Sequence, residues 1–80
     1  MAFQVFQDGI PCADYKIKTW DTDTFEDYFD AVVFAYHWAY PYDLATIAKH
    51  VQSGLWVMEV GVEYDLGMGD SPVMMCIKEV

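Results

Sequence analysis

The 80-residue chain contains no arginine and only four lysines, against 13 acidic residues. A protein that binds DNA or RNA directly needs cations to displace the counterions of the phosphates. At a formal charge of −9 the chain lacks them, which excludes direct nucleic-acid binding and disfavours an anionic membrane surface. Long apolar runs are also missing, since none approaches the roughly 20 residues that cross a bilayer. The start, MAFQVFQDG, has neither the basic residues nor the apolar stretch of a signal peptide. The expectation is a soluble, cytoplasmic protein.

Cysteine is scarce too. Small secreted disulfide scaffolds carry about four or more, whereas this chain has Cys12 and Cys76. Both are expected to be buried free thiols in a reducing compartment. His37 and His50 are the only histidines, and no C-x-x-C or H-x-x-x-H spacing makes a zinc site credible. The glycine-rich stretch Leu66-Gly67-Met68-Gly69-Asp70 lacks the lysine of a phosphate-binding loop, and its acid would repel phosphate. No catalytic residue, metal or cofactor is therefore expected, and the chain reads as non-enzymatic.

What is present is apolar and aromatic. A content of 55% hydrophobic and 18% aromatic residues excludes disorder. A chain this short buries about 60–65% of its unfolded surface, enough for one modest core and a single compact domain over residues 1–80.

The local pattern predicts an α+β fold, with a small antiparallel sheet of two hairpins in the order ββα(α)ββ. One long and one short helix pack on one face. Residues 3–7, FQVFQ, alternate as a strand, and Asp8-Gly9 is a hairpin signal in a loop lengthened by Ile10-Pro11. Pairing is expected to resume after Pro11, with DYKIKTW at 14–20 as the second strand. A helix then starts at Asp23 as N-cap, with Glu26 completing a capping box, and ends at Pro41. Phe25, Tyr28, Phe29, Val32, Ala35, Tyr36 and Ala39 form its core face by spacing. A shorter helix spans 41–54, capped by Asp43, closed by Gly54 and striped by Leu44, Ile47, Ala48 and Val51. The tight Tyr40-Pro41-Tyr42 join also permits one kinked helix. Residues 55–64, LWVMEVGVEY, give the clearest strand, with Trp56, Met58, Val60, Val62 and Tyr64 on one face. A loop at 65–72 leads to a last strand at 73–80, whose inward face is ambiguous.

Two features point to a partner. Asp21, Asp23, Glu26, Asp27 and Asp30 place five negative charges in ten residues. At about 1.5 Å of rise per residue the acidic face covers roughly 10 Å, a few phosphate spacings of about 3.4 Å. The helix dipole accounts for acids in the first turn, here Asp23 and Glu26. Asp30 lies beyond that turn and is the acid left to explain. Second, Val33, Phe34, His37, Trp38 and Tyr40 lie partly off the core face, where they either pack under the second helix or form a contact surface. The candidate partner-binding residues are Asp21, Asp23, Glu26, Asp27, Asp30, Phe34 and Trp38.

The hairpin FQVFQDGIPCADYKIKTW, the acidic helix start DTDTFEDYFD and the closing strand pair together resemble the small acidic anti-CRISPR proteins encoded by phages. The likeness is one of size, charge and architecture over the whole chain. It implies a non-enzymatic inhibitor in the host bacterial cytoplasm that binds a type I CRISPR surveillance complex (Cascade) or its nuclease. The acids would mimic DNA phosphates in a basic nucleic-acid-binding groove and block target DNA access. The heavy aromatic load departs from charge mimicry alone. It suits an alternative reading, a protein–protein interaction or homodimerisation module using Phe34 and Trp38. A small enzyme or metal protein is a third reading, without a motif behind it.

Overall fold

The computed structural model describes residues 2–12, 24–67 and 71–80. Its elements are β1 (Phe3–Gln7), β2 (Ile10–Pro11), α1 (Tyr28–Ala39), α2 (Leu44–Gln52), β3 (Tyr64–Asp65) and β4 (Met74–Glu79). They form an α+β fold around an antiparallel four-stranded sheet of order β2-β1-β4-β3. The first and last long strands are thus the central pair, with Val5 opposite Ile77 and Gln7 opposite Met75.

The first hairpin is tighter than its sequence suggests. Asp8 (φ 52°) and Gly9 (φ 80°) both take positive φ, the two-residue turn that matches strand twist. Ile10 and Pro11 then pair at once, with Gln7 and Phe6. Pro11 does not delay pairing because, among the described residues, β2 lies at the edge of the sheet, where a missing N–H costs no ladder bond. The expected strand at 14–20 lies outside the described residues.

The long helix begins later than expected. Phe25 is drawn into a bridge with Phe3. The Phe3 N–H donates to the Phe25 carbonyl at 2.7 Å, and the Phe25 N–H donates back at 2.8 Å. That extended backbone cannot be helical, so Phe25 enters the core from the sheet rather than from a helix face. The N-cap is Asp27, not Asp23. Asp27 is extended (φ −101°, ψ 122°), and its Oδ1 accepts the Phe29 N–H at 2.9 Å. The cap spacing read at Asp23 and Glu26 recurs four residues later at Asp27 and Asp30.

The face of the sheet that carries α1 follows from two contacts. Phe3 and Tyr28 meet edge to face at 5.6 Å, and the Trp38 Nε1–H donates to Gln7 Oε1 at 2.6 Å. Residues 3, 5 and 7 therefore face the helix, with Met75 and Ile77 beside them on β4, which resolves the ambiguous last strand. On the opposite face Lys78 Nζ lies 4.9 Å from the Phe6 ring centroid.

The second helix is separate from the first and starts as the sequence indicates. Asp43 caps it by accepting the Thr46 N–H at 2.9 Å, and Ser53 and Gly54 follow its end. Among the described residues α2 contacts α1 rather than the sheet. It forms a layer on the far side of α1, with Ile47 fully buried. This covers α1 from both sides, so the six consecutive residues Ala31 to Tyr36 are all buried.

The segment 55–64 is not a continuous strand. Its period-two alternation is real, but Gly61 takes φ +82° and donates its N–H to the Ile77 carbonyl at 2.7 Å. The chain bends there, touching the sheet at Val60 and again only at Tyr64 and Asp65. Before the bend it is tied to the helices instead. The Leu55 and Trp56 N–H groups both donate to the His50 carbonyl.

Candidate interaction surface

Of the five acidic candidates, the structure describes Glu26, Asp27 and Asp30. Asp21 and Asp23 lie outside the described residues. Glu26 is exposed, Asp27 is committed to the cap, and Asp30 is partly buried in the first turn of α1. Because the helix starts at Tyr28, the dipole argument now covers Asp30 as well, and it is no longer the acid left to explain. Burial, and then the charge of Asp27, raise the Asp30 carboxyl above its ordinary value. Glu26, Asp27 and Asp30 nevertheless place three carboxylates at the open end of α1. Lys49 sits in the last turn of α2, where a cation suits the dipole. Lys16 and Lys18 lie outside the described residues.

Of the aromatic candidates, Phe34 is core. It is 2% exposed, 5.0 Å from the Phe25 ring and 6.0 Å from Trp38. It therefore has no surface to offer a partner. Trp38 is half-buried and tied to Gln7. Of the two alternatives that the sequence leaves for Phe34, core packing holds and a contact surface does not, because α2 covers α1 as well as the sheet.

The exposed apolar surface lies elsewhere. Phe29, expected in the core, is 38% exposed and forms one wall of a groove of about 460 Å³. Tyr28 and Val32 of α1 line it with Phe29, together with Val51 of α2 and with Trp56, Val57, Met58 and Glu59. Val57 is 57% exposed, and the adjacent Leu55 is 66% exposed. Among the described residues Glu59 is the one charged residue in the lining.

An aromatic cluster holds the wall at residues 56–59 in place. Trp56 stacks on Tyr36 at 5.0 Å and touches Tyr40 at 5.2 Å and His50 at 4.6 Å. The Tyr36 O–H donates to the Val57 carbonyl at 2.7 Å, and the Glu59 N–H donates to the Tyr64 hydroxyl at 3.0 Å. Burial pushes the Tyr36 hydroxyl up to about 12, so it remains a donor at any physiological pH. The wall is thus apolar at Trp56, Val57 and Met58, and the Trp56 N–H, the Val57 carbonyl and the Glu59 N–H are already engaged. The signal for it was Gly61 inside an apolar alternation, since an isolated glycine in a strand pattern marks a break.

Cys12 and Cys76 are buried and free. Burial pushes the Cys12 thiol up to about 11, far from the thiolate a nucleophile needs. His50 is packed on Trp56. Among the described residues no group of three or more His, Cys, Asp or Glu could hold a metal. No helix among them is long and apolar enough to cross a membrane.

Comparison with known proteins found no matching family model, no matching curated protein and no matching solved structure.

Proposed function

We propose that this chain is a non-enzymatic binding protein that docks on a basic surface of a nucleic-acid-handling protein complex, acting as an anti-CRISPR type of inhibitor. The observation that carries this reading is a formal charge of −9 without a single arginine. Part of that charge is gathered at the open end of α1, on Glu26, Asp27 and Asp30. Carboxylates there meet the lysines and arginines that would otherwise hold phosphates, and exclude DNA by occupying its place. Net charge of this size also speeds encounter with a cationic partner, and salt suppresses it.

The test is retention of proteins from a bacterial lysate on the immobilised chain, eluted with a salt gradient. Retained proteins are expected to be basic and to leave at moderate salt. Reversing Glu26 and Asp30 together to lysine is expected to release them earlier. Asp27 is left intact because it caps α1. Retention that ignores both salt and this reversal contradicts the proposal.

The groove favours a second reading, a homodimerisation module. Two copies would bring −9 against −9. Such association strengthens as salt screens the repulsion, opposite to the behaviour of a basic partner.

A further inference from the structure

The groove between α1 and residues 56–59 has a shape and a chemistry that select one kind of occupant. Its walls are apolar side chains, with Phe29 and Val57 projecting into solvent from opposite sides. A patch of this kind on a small protein marks a binding surface. Its charge is of one sign, with Glu59 in the lining and Asp27 next to the lining residue Tyr28.

The backbone beside the groove argues against an added strand. The Trp56 N–H, the Val57 carbonyl and the Glu59 N–H already have partners within the chain. An extended peptide that binds by main-chain pairing would have to displace them. A helix satisfies its own backbone and needs only a place for its apolar stripe. A second copy is disfavoured by charge, and a basic helix is favoured by it.

We infer that the groove formed by Tyr28, Phe29, Val32, Trp56, Val57 and Met58 receives an amphipathic, lysine- or arginine-rich helix of the partner protein. The apolar stripe of that helix lies between Phe29 and Val57, and its cations reach Glu59 and the acids at the start of α1. This rests on the reading of a basic partner and adds where, and by what element, the partner is held.

The probe is a synthetic amphipathic peptide of leucine and lysine, about 18 residues and roughly 27 Å as a helix. The control contains the same residues in an order that breaks the apolar stripe. Binding is followed by tryptophan fluorescence of the intact chain. The amphipathic peptide is expected to bind at least about tenfold more tightly than the control. Val57→Asp is expected to weaken it by at least about tenfold, although the substitution adds negative charge that attracts the probe. Val60→Asp, at an exposed position outside the lining, serves as control and is expected to leave binding unchanged.

Equal binding of the two peptides, released by salt and indifferent to Val57→Asp, overturns the groove while leaving the basic-partner reading standing. Binding of neither peptide, with salt-sensitive retention of lysate proteins intact, does the same. If retention is lost as well, both fall. A dimer in sedimentation that Val57→Asp dissolves overturns the basic helix in favour of a second copy.

Discussion

Two stretches of this chain are almost equally apolar and end in opposite places. Residues 28–39, YFDAVVFAYHWA, form α1 and bury six consecutive side chains. Residues 55–62, LWVMEVGV, leave Leu55, Val57, Val60 and Val62 exposed and bury Met58. Hydrophobicity therefore does not distinguish core from surface here. What distinguishes them is cover. The sheet lies on one side of α1 and α2 on another, whereas the stretch at 55–62 bends at Gly61 and is fastened by its backbone to the helices. Of these exposed side chains, Val57 lines the groove together with Phe29.

The largest expected effect comes from truncating the covered stretch. Phe34→Ala is expected to cost about 3–5 kcal/mol in denaturant unfolding, while Val57→Ala stays within about 0.5 kcal/mol. Similar costs at the two positions would erase the distinction. Next is the start of α1, which sets one wall of the groove. Asp27→Ala removes the cap on the Phe29 N–H and is expected to cost about 1 kcal/mol. No loss there would place the helix start elsewhere, at Asp23 as the local pattern first indicates.

The smallest effect is in pH, where the acids of the two helices differ in sign. The Thr46 side chain, and then its N–H, hold the Asp43 carboxyl below its ordinary 3.8. Its stabilisation is therefore present above 3.8 and lost as pH falls through the lower folded value. Asp30 is raised above 3.8 by burial and then by Asp27, so its ionisation reduces stability as pH rises from 3.8 through the folded value. Melting temperatures between about pH 3 and pH 7 are expected to show Asp43→Asn losing most at the neutral end. Asp30→Asn is expected to gain slightly there. A shift of the same sign in both variants contradicts these environments.

Much of the architecture could be read from local chemistry. The Asp8-Gly9 turn, the Asp43 cap and the apolar stripe of α2 each depend on neighbours within a few residues. The failures share one cause, contacts made at long range. Phe25 leaves the helix because Phe3 pairs with it. Phe34 is lost to the surface because α1 is covered twice. The stretch at 55–64 stops being a strand because His50, Tyr36 and Tyr64 take its backbone groups. The candidate site was legible in its charge but not in its place. The acids were visible as a cluster, while Phe29 and Val57 face each other only after the fold is formed.

The most direct test is to follow the backbone amides of the isotope-labelled chain by two-dimensional NMR while the amphipathic basic peptide is added. The account predicts that shifts concentrate at residues 28–32, Val51 and 56–59, with little change at β2 or on the Phe6 and Lys78 face of the sheet. Shifts centred on that outer face, or spread over every exposed acid without preference for the groove, would contradict it.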